Sequence, residues 1–172
     1  MSRAEDAGAT WLGRAIAAVR VNAVHRDPRG AWIKRRRFGM DAVIAAGNLF
    51  LKWSHSRIVM FTSCAAWQAR EVTAACALHG EGAAWVVSPR AVGFRSLPGE
   101  SLRDLLARDA LTPDALVAAG RELARAHAVN LANGAFSHGD PHTGNALYDR
   151  ATGRARLIDF ETEHEPDLSA DE

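Results

Sequence analysis

The chain has 172 residues, 48% hydrophobic and 24% charged, a composition that supports one core or two small lobes and excludes a fibrous or disordered chain. Its formal net charge is +1, so overall charge selects no class of partner. The signs are nevertheless segregated: Arg14, Arg20, Arg26, Arg29 and Lys34 to Arg37 come early, and Glu161, Glu163, Glu165, Asp167, Asp171 and Glu172 come late.

The first 21 residues, MSRAEDAGATWLGRAIAAVRV, lack an uninterrupted apolar run and a small-residue cleavage site, so no secretory signal is expected. Cys64 and Cys76 have neither zinc-site spacing nor the density of a disulfide scaffold, which predicts reduced, core-packed thiols and a cytoplasmic location. From Val19 to Arg37, two extended segments flank Asp27-Pro28-Arg29-Gly30, a turn-forming tetrapeptide, and together they predict a β-hairpin ending near Lys34. The stretch Met40 to Leu51 (MDAVIAAGNLFL) is far shorter than the roughly 20 apolar residues of a membrane span. It reads as an ordinary buried helix beside a solvated charge cluster. The other reading lets it lie in a membrane interface, with peripheral contact to anionic lipid or glycolipid at the inner face.

Arg57 to Phe61 is a short apolar run of strand character, and Ala65 to Leu78 is rich in helix formers with a stop at His79-Gly80, placing Glu71 on a helix. Ala84 to Phe94 reads as a strand or hairpin broken at Pro89. Leu97-Pro98-Gly99 forms a linker, and the boundary between residues 1–96 and 97–172 is drawn there. Ser101 to Asp104 opens a short helix with a capping-box pattern, and Thr112-Pro113 starts a longer one with Leu116, Ala119, Leu123, Ala126 and Asn130 along one side. Residues 136–142 are too interrupted by glycine and proline for a helix. A hairpin follows, from Ala146 to Ile158 around the turn Asp149 to Gly153, and closes on Asp159.

The polar residues of this last region carry the chemical signal. His138-Gly139-Asp140 is followed by His142 and, five positions after Asp140, by Asn145, and the hairpin then delivers Asp159-Phe160-Glu161. Phosphoryl transfer needs a group that orients the attacking hydroxyl and oxygen ligands for a hard cation, and a kinase catalytic loop spaces its Asp and Asn in this way before a downstream Asp-Phe pair. Singly, Asp140 and Asn145 are ordinary turn residues. Their joint spacing with Asp159 is what points to a site.

The pattern HGD-x-H-x-x-N with D-F-E resembles aminoglycoside phosphotransferases and, more closely, bacterial lipopolysaccharide-kinase-like and Rio-like proteins of the protein-kinase-like superfamily. The resemblance covers residues 19 to 161 and implies an α+β, two-lobed fold with a reduced C-terminal lobe, which moves the terminal phosphoryl of ATP to a hydroxyl on a sugar, glycolipid or protein. It implies Asp140 as catalytic base, His138 as its brace within the catalytic loop, and Asn145 and Asp159 as Mg2+ ligands. His142 is similar to the second histidine of such loops, in a structural or a catalytic role. Lys34, at the end of a strand, is the expected phosphate lysine, with Lys52 as the other candidate, and Glu71 in RE-x(6)-L-x-G is its expected partner. The linker at Leu97 to Leu102 would meet the adenine through its backbone.

Two departures stand out: no glycine-rich phosphate loop precedes the hairpin, and few residues follow Glu161. They keep a nucleotide-binding pseudokinase as the second reading. A dinuclear phosphoesterase is disfavoured because Asp140 and His142 lack a second ligand cluster. Arg35, Arg36 and Arg37 beside Trp32 and Phe38 read as a solvated strand end, so no nucleic-acid partner is expected.

Overall fold

The computed structural model describes residues 21–53, 58–132 and 138–164, without the side chains of 51–53, 58–59, 130–132 and 163–164. The start of the expected hairpin at Val19, and Phe136 and Ser137 of the expected loop, lie outside the described residues. In chain order the elements are β1 (Asn22–Arg26), β2 (Trp32–Arg36), α1 (Met40–Trp53), β3 (Ile58–Met60), α2 (Cys64–His79), β4 (Ala84–Ser88) and β5 (Ala91–Phe94). Then follow β6 (Glu100–Ser101), α3 (Leu102–Ala107), α4 (Pro113–Ala132), β7 (Ala146–Asp149), β8 (Arg154–Leu157) and β9 (Thr162–His164). The fold is α+β, and no helix among the described residues is long and apolar enough to cross a membrane.

Four strands form an antiparallel sheet in the order β1-β2-β5-β4. Its first turn is built as the sequence predicts: the Asp27 carboxylate accepts from the backbone N–H groups of Arg29 (3.0 Å) and Ala31 (2.7 Å), and Gly30 takes the left-handed φ of +86°. The β4–β5 pairing carries an irregularity between Val86 and Ser88, just before Pro89. Helix α2 packs beneath this sheet. Ser63 caps it, accepting from the Ala66 N–H (3.0 Å), and Gly80 at φ +93° ends it by donating to the Cys76 carbonyl.

A second sheet, in the order β6-β7-β8, is backed by α4. One contiguous apolar cluster joins the parts, running from Trp67, Ala74 and Val92 through Leu102 and Leu105 to Ala126, Leu157 and Phe160. The smallest sheet pairs β3 with β9, so the chain just after Phe160-Glu161 returns to a strand from the first third of the sequence and crosses the boundary drawn at residue 97.

Three expectations need correction. The α1 segment is not an ordinary buried helix: among its described side chains only Ile44 is buried, while Val43, Leu49 and Phe50 are 43%, 72% and 62% exposed. Its strongest packing is against β3, a three-residue strand too short to cover a helix face. The strand end at Lys34 to Arg37 is not wholly solvated either. Period-two alternation turns Lys34 and Arg36 to the inner face and leaves Arg35 and Arg37 outside. Arg36 is 1% exposed, stacks at 4.7 Å on Trp67 and donates to the Phe61 carbonyl (2.7 Å). Third, the α4 stripe packs inward at Ala119, Leu123 and Ala126 as its spacing suggests, but Leu116 is half exposed and Ala115 and Glu122 are buried instead. Small side chains let this helix approach β8 closely, so the bulkier leucine is rotated outward.

Candidate active site

Lys34 is the centre of the site. β2 presents it inward, opposite Val24 on β1 and Val92 on β5, so its stem crosses apolar surface before its ammonium reaches the far side. Three carboxylates meet that ammonium: Glu71 from α2 at 2.5 Å, Asp159 at the end of the β7–β8 hairpin, and Glu161 at 3.0 Å. Burial alone would lower the Lys34 pKa, but Glu71, Asp159 and Glu161 outweigh it and raise the value, so the lysine is charged.

Glu71 has no exposed surface and a full set of partners. Its Oε1 accepts from Lys34 and from the Trp67 indole N–H (3.2 Å), and its Oε2 accepts from the Phe160 backbone N–H (3.2 Å). One buried carboxylate thus ties the lysine strand, its own helix and the chain beside Asp159 together. Glu161 pairs with Lys34 and accepts from the Asn22 amide on β1. Its pKa is raised by burial and by the neighbouring Asp159 and Glu71, against the pull of Lys34.

Asp159 adopts φ +69°, a left-handed conformation that non-glycine residues rarely occupy and that costs on the order of 1–3 kcal/mol. Its neighbours are clamped on both sides. The Ile158 N–H donates to the Asn145 carbonyl (2.9 Å), the Ile158 carbonyl lies 2.9 Å from His138 Nε2, and the Phe160 N–H is held by Glu71. The left-handed backbone of Asp159 is thus held in place by three long-range contacts of its neighbours.

The loop before the hairpin is built by the same contacts. His138 is 1% exposed, its Nδ1 accepts from the Asp140 N–H (3.4 Å), and its Nε2 therefore donates to Ile158. Burial lowers its pKa and keeps it neutral. Counted among the catalytic residues by sequence, His138 sits as a brace, enclosed and fully engaged with backbone. Asn145 donates through Nδ2 to the Asp140 carbonyl (3.1 Å), an acceptor only, which leaves its Oδ1 as the oxygen available to a cation. The Asp140 side chain is 49% exposed, and its Oδ2 lies 3.5 Å from His142 Nε2.

His142 is itself fixed. Its Nδ1 accepts from the Gly144 N–H (2.9 Å) and faces the Arg103 guanidinium (3.2 Å), so the proton of the neutral ring is on Nε2, towards Asp140. A Cβ at Gly144 would lie 2.6 Å from the Arg103 guanidinium and 2.8 Å from the His142 ring, so a side chain there would displace the contact between the two.

All six residues singled out by sequence thus fall in one neighbourhood. Lys34, Glu71 and Asp159 touch directly, and His138, Asn145 and Asp140 are joined to them through Ile158. Lys52 sits near the end of α1, and its side chain is outside the described residues. Sequence reading assigned no role to Glu161, Asn22 or Trp67. Trp67 stands four residues before Glu71, a helical spacing that offered a signal, and Glu161 was visible as the third letter of D-F-E. Asn22 to Glu161 spans 139 positions and offered none.

Lys34, Glu71 and Asp159 line the inner end of a cleft of about 430 Å³. Val24 and Trp32 from the sheet and Leu147 and Ile158 from the hairpin supply apolar walls, and Ser96, Leu97 and Gly99 of the linker close one side. A flat apolar ligand matches those walls, while the inner end, with three carboxylates against one ammonium, favours a cation beside any anionic tail. Glu71, Asp159 and Glu161 bring carboxylate oxygens within 4.8 Å of one another.

No family model matches the chain, and no curated protein does. Among solved structures, the chain is similar to Rv3197 from Mycobacterium tuberculosis, determined as a complex with erythromycin. The two share 17% identity over 86% of this chain and 45% of that one, with a TM-score of 0.55. The likeness is one of fold, and this chain spans less than half the length of Rv3197.

Proposed function

We propose that this chain is an ATP-dependent phosphotransferase of protein-kinase-like architecture. In this reading the β1-β2-β5-β4 sheet with α2 is the smaller lobe, and residues from 97 onward form a reduced second lobe. The observation that carries the proposal is the convergence of Lys34, Glu71 and Asp159 at the inner end of the cleft, with Asp140 and Asn145 fastened to the same hairpin.

The roles follow from the chemistry of each group. The apolar walls take the purine, and Lys34, held by Glu71, turns its ammonium to the donor phosphates in exchange for one of its carboxylates. Asp159 and Asn145 Oδ1 would hold Mg2+, and a hard cation suits that pair of oxygen donors. When bound it neutralises phosphate charge. Asp140, exposed beside the cleft and aligned by His142, orients the acceptor hydroxyl and receives its proton. The acceptor is an alcohol on a sugar, glycolipid or protein.

No glycine-rich sequence precedes the hairpin to cover the phosphates, and this favours a second reading, a nucleotide-binding module without turnover. Calorimetric titration with ATP and Mg2+, run beside Asp159→Asn with folding checked by circular dichroism, separates the possibilities. Metal-dependent binding that the variant loses, followed by phosphate transfer in an acceptor screen, is the expected result. Binding without transfer to any alcohol, or slow hydrolysis, leaves the module. A folded wild-type chain that binds no nucleotide rules out both.

A further inference from the structure

Behind the linker lies a second pocket, of about 470 Å³, whose character is opposite to that of the cleft. Arg95 on the linker, Arg125 on α4, and Arg154 and Arg156 on β8 all line it, and Glu122 is the sole carboxylate in its lining. Both oxygens of Glu122 are taken by Arg125 at 2.7 Å. Four guanidiniums face one carboxylate in the lining, with Asp149 near Arg156 outside it, and the net positive wall favours an anion.

Part of this arrangement has a structural explanation. Arg95 and Arg125 each donate one Nη2 bond, at 3.0 Å, to the His79 and Leu78 carbonyls at the end of α2, and Arg156 reaches the Pro98 carbonyl at 3.3 Å. The first two satisfy carbonyls that a helix end leaves open, and the third holds the linker backbone. They use a single N–H of Arg95 and a single N–H of Arg156, out of five per guanidinium. The nearest acid to Arg156 is Asp149, at 3.8 Å. Arg154 is exposed, and its side chain has no hydrogen bond or ion pair among the described residues. These carbonyl contacts account for three of the arginines but not for the fourth, nor for their gathering round one pocket.

We infer that this pocket, walled by Arg95, Arg125, Arg154 and Arg156, binds a small phosphorylated anion. Guanidinium forks match the oxygens of a phosphoryl group in pairs, and anchoring to wall carbonyls holds three of the forks in place beforehand. The volume is that of a small-molecule site. The pocket shares with the cleft only His79 and residues 95–97, so its ligand is separate from any held by Lys34 and Asp159.

Inorganic pyrophosphate is the probe, titrated into the full chain in the presence of EDTA with ionic strength held constant by sodium chloride. Saturable binding and a rise in melting temperature beyond that given by chloride are expected. Arg154→Gln should weaken binding about tenfold, the effect of losing one charge-assisted contact. Arg154→Glu should abolish it, and Lys34→Met should leave it unchanged. Arg154 is exposed and unpaired, so both of its variants should fold. No saturable binding overturns the proposal. So does binding that survives Arg154→Glu, or that is lost in a Lys34→Met chain shown by circular dichroism to be folded, because the anion would then be sitting elsewhere.

Discussion

Glu71 shows how much one side chain can hold. Truncation to alanine would strand the Lys34 ammonium between two remaining acids and leave the Trp67 indole and the Phe160 N–H without their acceptor. Breaking a buried ion pair from one side costs about 3–5 kcal/mol. Urea denaturation of Glu71→Ala should show a loss in that range, and a loss below about 1 kcal/mol would mean that the carboxylate is not the tie described here. His142 should behave differently. Its side chain is 42% exposed, so His142→Ala should change stability little, yet it frees the Asp140 carboxylate. In the proposed reaction kcat should fall about ten- to a hundredfold with the KM for ATP unchanged, and His142→Gln, which keeps an N–H on that side, should recover part of it. Residues of this kind were legible to the degree that motif spacing marks them. Asp140, Asn145 and Asp159 stand at fixed offsets, and Lys34 was chosen over Lys52 by strand placement. Glu161 has no such offset to a partner, because its contacts lie on β1 and β2.

The linker and the hairpins depend on glycines in specific ways. At Gly99, φ is +117°, and an added Cβ would lie 2.9 Å from the backbone of Tyr148, which cannot rotate away. Gly99→Ala should therefore cost about 1–3 kcal/mol and loosen the β6–β7 pairing at Glu100 and Tyr148. Thermal denaturation checks the first point and amide exchange at Tyr148 the second. Gly93 is less constrained, because its crowding comes from the Trp85 ring, 39% exposed and able to swing aside. The elements with local signals were readable: the Asp27–Gly30 hairpin, α2 between Ser63 and Gly80, α3 with its Ser101 cap, and the β7–β8 hairpin each carry their own start or stop residues. What escaped was orientation. The stripe of Ala119, Leu123 and Ala126 was legible and packs on the core, but nothing in that spacing reveals that Ala115 is enclosed while Leu116 stands half exposed.

The pH dependence of stability belongs to the molecule as a whole. His79 and His138 both have lowered pKa values, burial being the main cause in each. Unfolded, they take up protons near their ordinary value of 6.5, while the native chain does so only at lower pH. Their contribution is thus complete above about pH 6.5 and is lost as pH falls below it. Glu161 acts in the opposite sense, since its raised pKa favours the native state on acidification. Chemical denaturation at pH 7.5 and 5.5 should show lower stability at the acid value, with a smaller drop in His79→Gln, and an equal drop in that variant would exclude His79 as a source. The wider architecture was the least legible part of the chain. The β3–β9 pairing joins residues about a hundred positions apart through three-residue strands, too short to carry a pattern of their own. That pairing has a mechanical consequence. The four-stranded sheet and the hairpin side are connected at residues 95–99 and again, beyond Asp159, where β9 is laid against β3 and Glu161 takes hold of Asn22. A cleft hinged at one edge and latched at the other cannot gape without undoing its latch. The backbone amides that pair β3 with β9 therefore time its opening, and their exchange rates set a ceiling on how fast a ligand that needs the open cleft can come and go.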